Sequence, residues 1–219
     1  MLPMPRPRSL TPSTIAGAAL AFIEREGIAA LSMRAVANEL HMSVMSLYRY
    51  VEGREELEAL VVNLVLETID LDVEAYPCWT QKITALVARA RDAVSTHPAV
   101  VPLLLIHRHA SIHSRLWGEA VLRVLAEAGF AGQERVIAFR TLLSYFLGAV
   151  QVLHLGPLSG TGTVVLSELS RTEFPHLAAT AAMAREISAD TEFQCGLQVV
   201  ISGIVAWKSR TETPVRGGQ

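Results

Sequence analysis

The stretch Leu31-Ser32-Met33-Arg34-Ala35-Val36-Ala37-Asn38-Glu39-Leu40-His41-Met42-Ser43-Val44-Met45-Ser46-Leu47-Tyr48-Arg49-Tyr50-Val51-Glu52-Gly53-Arg54 decides the fold. Ser32 reads as the cap of a short helix running through Leu40, because a serine hydroxyl accepts one of the unpaired first-turn N–H groups. His41-Met42 reads as a tight turn, and Ser43 as the cap of a third short helix ending near Tyr50. Gly53 breaks the chain and a fourth helix starts at Arg54, with an apolar face of Leu57, Leu60, Val61, Leu64 and Val65. Upstream, Thr11-Pro12 is a cap followed by proline at the first helical position. Ile15, Ala19, Phe22 and Ile23 follow at i, i+4, i+7 and i+8, one buried face of a first helix that Gly27 ends.

Working outward, nearly every later segment keeps the helical period, and no convincing alternation of period two is present. Helices are expected at 79–96, 100–107, 112–128, 133–155, 175–187 and 191–208. The breakers between them are Pro77, His97-Pro98, the 107–111 stretch, Gly129, Gly156-Pro157 and Phe174-Pro175. Leu158 to Thr163, rich in Gly, Ser and Thr, is expected to be a mobile loop. The chain is therefore read as all-α, with nine or ten helices. A flexible arm occupies 1–10, a three-helix helix-turn-helix domain 11–54, a helical bundle 55–210, and a flexible tail 211–219.

The 219 residues are 51% hydrophobic and 18% charged, enough to bury a sizeable core and unlike a disordered chain. Ile137 to Leu155 is the most membrane-like run, but Arg140, Ser144, Gln151 and His154 make it a poor span. Met1 to Ser9 lacks the apolar core of a secretory signal, so a cytoplasmic location is expected. Cys78 and Cys195 show no paired spacing, which argues against a disulfide or a zinc site; both are read as buried thiols. The net charge is −2, but residues 1–54 carry six Lys/Arg against four acids. That mild asymmetry permits nucleic-acid binding by the N-terminal part without demonstrating it.

Two short helices joined by a tight turn and packed on a longer first helix form a DNA-reading unit in many proteins. An α-helix fits the major groove of B-DNA, where base edges are distinguishable, while the preceding helix braces it. Period alone is weak grounds for this, since any bundle contains short helices; the residues carry more. The Leu31–Leu57 run resembles the DNA-binding domain of the tetracycline-repressor (TetR) family, with the similarity extending over residues 11–65. The segment Leu47-Tyr48-Arg49-Tyr50-Val51, followed by basic Arg54 and Leu57, is the most diagnostic part. Phe193 to Ala206 is similar to the last helix of such regulators.

The resemblance implies that Ser32, Arg34, Ser43, Val44, Met45, Ser46, Tyr48, Arg49, Tyr50 and Arg54 face DNA. Ser32 is then both a cap and a phosphate contact, and Arg34 reaches a base or a phosphate, arginine being the commonest reader of guanine edges. Val44, Met45 and Ser46 meet base edges. The two apolar side chains suit thymine methyl groups, the alternative being that one of them packs inward. Tyr48, Arg49 and Tyr50 lie against the phosphate backbone, and Leu47 is core. Arg54 opposes the helix macrodipole where it stands. Either Glu55 and Glu56 offset it locally, or a phosphate docks on this helix N-terminus and Arg54 completes the site. His41 occupies a turn position usually held by Gly in the family, so left-handed backbone is expected there. Arg6 and Arg8 fit either a minor-groove arm or a disordered tail with incidental charge.

The family resemblance further implies that 55–210 is a regulatory and dimerisation domain, with a homodimer paired through the last long helices, here 133–155 and 191–208, a double-stranded operator and a small-molecule effector. Gly196 and Gly203, seven residues apart on nearly one face, are candidates for close helix approach across the dimer or within one subunit. Arg140, Ser144, Gln151 and His154 form a polar stripe that fits a solvent face, a dimer seam or a pocket wall; Trp117 and Tyr145 are further ligand candidates. His107, His109 and His113 form a possible metal group, read as incidental. No cofactor and no metal are expected. Without a Gly-rich phosphate loop, nucleophile motif or metal signature, the chain is read as a regulator rather than an enzyme. The alternatives are an all-helical enzyme or a ligand-independent dimerisation or adaptor protein.

Overall fold

A computed structural model describes residues 10–155 and 160–212. The helices are, in order, α1 Pro12–Glu26, α2 Met33–Glu39, α3 Val44–Leu47, α4 Arg54–Leu66, α5 Trp79–Ser95, α6 Val101–His107, α7 Ile112–Glu127, α8 Gly132–Leu155, α9 Thr161–Ser167, α10 Pro175–Ala184 and α11 Ala189–Glu212. Short 3-10 turns cover Ile28–Ala30 and Pro98–Val100, and no strand occurs among the described residues. The chain divides into two compact units, one of residues up to Ile69 with Thr96–Leu116, the other of Asp70–Ser95 with the residues from Trp117 onward.

In the first unit the local signals act where the sequence places them. Thr11 Oγ1 accepts from Thr14 N at 3.2 Å with Pro12 next to it, and Gly27 at φ 83° ends α1. Ile15, Ala19 and Ile23 are buried, while Phe22 is half-buried beneath the Arg25 guanidinium. Helix α1 packs on α2 and α4, and α4 also packs on α6. On α4, Leu57, Val61 and Val65 are buried as expected, joined by Val62 and Leu66; Leu60 and Leu64 are only half-buried. Each fully buried aliphatic side chain in this core contributes about 1.5–3 kcal/mol.

The second unit is built on α5, α8 and α11, which pack on one another. Its core holds Leu86 and Ala90 of α5, Val121 and Leu125 of α7, Leu142, Phe146 and Val150 of α8, and Leu197 and Ile201 of α11. Among the described residues α8 is the one helix long and apolar enough to cross a membrane, although Ala138, Leu142, Phe146 and Val150 are buried in this unit.

Eleven α-helices form among the described residues rather than nine or ten, and the third ends at Leu47 rather than near Tyr50. Other expectations also change. First, Thr161–Ser167 is helical although Leu158 to Thr163 reads as a loop. Gly162 and the β-branched Thr161, Thr163, Val164 and Val165 lower helix propensity, and packing against α10 overrides it. Residues 156–159 of that expected loop lie outside the described residues, as do 1–9 of the arm, with Arg6 and Arg8, and 213–219 of the tail. Thr211 and Glu212, assigned to the tail, belong to α11. Second, both cysteines are exposed. Cys78 directly precedes α5, with its Sγ 3.2 Å from Thr80 Oγ1. Bonds from Thr80 and from the Gln81 backbone hold its thiol below the ordinary value. Cys195 is about 200° around α11 from the buried Phe193, hence on the outer side. Third, Trp117 belongs to the core: its indole N–H donates to Leu86 O at 2.9 Å and its ring packs on Phe146.

Candidate functional site

The turn between α2 and α3 is held by backbone bonds. His41 N donates to Asn38 O at 3.0 Å and Met42 N to Ala37 O at 2.9 Å, with His41 left-handed at φ 52°. That position expects glycine, and a side chain there costs about 1–2 kcal/mol. Two serines cap the helices on either side. Ser32 Oγ accepts from Ala35 N at 3.2 Å, and Ser43 Oγ accepts from Ser46 N at 3.1 Å while pairing with Ser46 Oγ at 2.9 Å.

A four-residue helix cannot hold itself, because the first helical turn orders several residues for one hydrogen bond. Buried Leu47 and Val51 pin α3 to the first unit. Fixing Leu47 inward turns its neighbours outward: Met45 is 77% exposed, Tyr48 47% and Tyr50 42%. Val44 is half-buried, so of the two apolar candidates it is the one that leans inward. Arg34 and Arg49 are exposed and, among the described residues, form no ion pair. Solvent-facing Met and Tyr beside unpaired arginines form a surface suited to a partner that is both anionic and apolar at its edge, as a DNA groove is.

Arg54 opens α4 after Gly53, which has no side chain to cap the helix. Glu56 Oε2 accepts from Glu52 N at 2.6 Å and so covers the segment before it. Arg54 itself is engaged: Nε donates to Glu58 Oε1 at 2.7 Å and an Nη to Ile28 O at 3.3 Å, with the side chain still 49% exposed. The other oxygen of Glu58 meets His107 Nε2 at 2.8 Å. Thus neither local offset considered for Arg54, Glu55 or Glu56, is its partner. His107 is not incidental either, and no group of three metal-ligating side chains forms among the described residues. Glu58 escaped the sequence reading because an acid inside an amphipathic helix reads as solvated; only its regular spacing from Arg54 (i, i+4) hinted at a pair.

In the second unit a cavity of about 380 Å³ is lined by Ser144, Tyr145, Gly148 and Val152 of α8, Arg91 of α5, and Glu192 and Phe193 of α11, among others. Tyr145 Oη donates to Phe193 O at 2.6 Å, and the two rings meet at a tilt with centroids 5.6 Å apart. Burial, with Glu192 adding to it, pushes the Tyr145 phenol above its ordinary value. Arg91 lies 5.1 Å over the Phe193 ring and pairs with Asp92 and Asp190. Of the six ligand candidates, Ser144 and Tyr145 line this cavity; Trp117, Arg140, Gln151 and His154 do not. Trp117 is core, Arg140 and His154 are on the exposed side of α8, and Gln151 is half-buried with its Oε1 lacking a partner. A stripe spread over about 80° of a helix meets more than one environment.

The two glycines of α11 separate in the same way. A Cβ on Gly196 would stand 2.4 Å from Tyr145 Oη, so this glycine serves packing within the subunit rather than a dimer seam. Gly203 has open space around it and lines a surface groove of about 330 Å³ with Ile137 and Thr141 of α8 and Val199, Ile204 and Trp207 of α11.

Residues 15–59 match the family described as bacterial regulatory proteins, tetR family, and residues 77–207 match the tetracyclin repressor-like C-terminal domain. The chain belongs to the tetracycline-repressor family. It is accordingly a DNA-binding transcriptional regulator, all-helical, with an N-terminal helix-turn-helix and a C-terminal helical domain. This TetR-family chain is 30% identical over 216 residues to the HTH-type transcriptional repressor DrrR1 of Streptomyces coeruleorubidus, covering 91% of this chain and 78% of that one. It is 28% identical over 205 residues to an HTH-type transcriptional regulator of Saccharopolyspora erythraea, covering 90% and 85%. Among solved structures, the Streptomyces coelicolor TetR family protein ActR in complex with actinorhodin superposes with a TM-score of 0.78 at 23% identity, covering 92% of this chain and 98% of that one.

Proposed function

We propose that this regulator represses transcription as a homodimer bound to a pseudo-palindromic operator, and that a small molecule in the α5–α8–α11 cavity releases it. The observation that carries the DNA half is the outward surface of α3 and the turn after it, where Met45, Tyr48 and Tyr50 are exposed while Leu47 is buried. In this reading Arg34, Val44, Met45 and Ser46 meet base edges, and Ser32, Ser43, Tyr48, Arg49, Tyr50 and Arg54 meet the backbone. Phosphate contacts then set register while base contacts specify sequence.

Dimer formation is supported by the apolar surface that α8 and α11 leave open, with Val136, Ile137 and Val199 exposed around the groove that holds Gly203. Pairing places two recognition helices for two half-sites about one DNA turn apart. The effector half is supported by a cavity that is mostly apolar yet carries Ser144, Tyr145, Arg91 and Glu192. A coupling of about 1–3 kcal/mol between effector and operator reduces DNA affinity roughly 5- to 150-fold. The protein acts in the cytoplasm and performs no catalysis in this reading.

The test is selection of bound duplexes from a random pool, followed by affinity measurements across salt with Arg34→Ala and Tyr48→Ala controls. A two-fold-related consensus is expected, with affinity falling steeply as salt rises. A pool that never enriches, or controls that bind like the parent, refutes the reading.

A further inference from the structure

We propose that Glu58 and His107 are positioning residues for operator binding, which hold the Arg54 guanidinium in the pose that meets a DNA phosphate. The proposal rests on the reading of Arg54 as a phosphate contact. It begins from a carboxylate in an unexpected place: Glu58 is 9% exposed. A buried charge is tolerated only when its hydrogen-bonding capacity is filled. Both oxygens are filled here, Oε1 by Arg54 Nε at 2.7 Å and Oε2 by His107 Nε2 at 2.8 Å. A carboxylate only accepts, so His107 Nε2 carries the proton in this contact.

The arrangement solves a problem at the start of α4. Arginine is long and loses much rotamer freedom when fixed, and a cation at a helix N-terminus is repelled by the macrodipole. Left alone, Arg54 would swing away from the place where a phosphate docks. Its bond to Glu58, one turn along α4, and its contact with Ile28 O set the plane of the guanidinium, yet leave it half exposed. His107 decides how strongly Glu58 draws on Arg54. While the imidazole satisfies Oε2, the arginine's field remains available to an incoming anion; without it the carboxylate is left with Arg54 as its partner and draws the guanidinium in.

His107 is itself fixed. Its carbonyl accepts from Ala110 N and Ser111 N, and Ser111 Oγ donates to Asn63 Oδ1 at 2.6 Å. The 107–111 segment therefore grips α4 at two points, Glu58 and Asn63. None of Glu58, His107 or Ser111 belongs to the surface presented by α3.

The experiment uses the full chain and the duplex enriched by selection, with affinity measured across salt for the parent, Arg54→Ala, His107→Leu, His107→Gln and Glu58→Gln, and melting followed in parallel. Removing one phosphate interaction lowers the slope of log affinity against log salt by about 0.9. Arg54→Ala and His107→Leu are expected to lower it alike. His107→Gln, whose amide N–H takes the place of Nε2, is expected to restore the parental slope. A merely structural histidine would shift melting and leave the slope unchanged. If Arg54→Ala lowers the slope and His107→Leu does not, the positioning role is refuted and the phosphate contact stands. If Arg54→Ala keeps the parental slope, the phosphate reading falls, and this proposal with it. Should His107→Leu fail to fold, Glu58→Gln decides: a lowered slope supports the role and a parental slope overturns it.

Discussion

Leu47→Ala and Met45→Ala remove side chains two residues apart in the same short helix, and the structure assigns them opposite consequences. Leu47 is fully buried and is the only side chain of α3 in the core of its unit. Truncation removes the transfer energy of the deleted carbons and adds a cavity term, together about 2–5 kcal/mol. For a chain of this size each kcal/mol lowers Tm by about 2–4 °C, so a fall of roughly 4–20 °C is expected by differential scanning calorimetry. DNA binding should fall with it, because Leu47 and the nearby Val51 are the buried side chains that hold α3 in place. Met45 is 77% exposed, and surface truncations usually stay within about 0.5 kcal/mol of the parent. Met45→Ala should leave Tm in place while operator affinity drops, with the loss confined to one base position of the selected consensus. The opposite roles of the two side chains are refuted if Leu47→Ala melts like the parent, or if Met45→Ala lowers Tm as much as Leu47→Ala does.

Four further outcomes are tied to single positions. His41→Gly relieves the left-handed strain at φ 52° and should raise the denaturant midpoint, by about 1 kcal/mol in stability, in chemical unfolding. Gly196→Ala drives a Cβ into Tyr145 Oη and should destabilise by about 1–3 kcal/mol, with partial rescue by Tyr145→Phe; Gly203→Ala meets nothing within the subunit, so a loss there would appear in the dimer dissociation constant by analytical ultracentrifugation. The Tyr145 phenol is raised by burial and by Glu192, so the fold favours its neutral form. Its contribution is fully present below the ordinary phenol range near pH 10 and is lost as pH rises through the raised value. Melting against pH should show an alkaline loss that Tyr145→Phe removes.

The helix-turn-helix was legible because its signals are local. Thr11-Pro12, Ser32 and Ser43 cap helices through bonds spanning three residues, and His41 marks the left-handed turn; all of these act as the sequence pattern implies. The i, i+4 spacing of Ile15, Ala19 and Ile23 gives the core face of α1 for the same reason. Where the reading failed, the deciding partner was distant in sequence. Helix α9 forms against its own propensity because α10 covers it. Cys195 and Trp117 exchange expectations: the thiol faces outward, and the tryptophan proposed for a ligand is spent on Leu86 and Phe146.

By itself, then, the amino-acid sequence determined that the chain is helical, where most helices begin and end, and where the turn between α2 and α3 falls. Each of these depends on interactions within about four residues, which the order of residues specifies directly. Only the tertiary structure decided what Arg54, Glu58 and His107 do together, since Glu58 and His107 are 49 residues apart. It alone distinguished Gly196 from Gly203, identical in chemistry and nearly so in helical phase, because one faces Tyr145 and the other open space. Helical period gives a residue its angle on one helix; what stands opposite that angle is set by the packing of other helices.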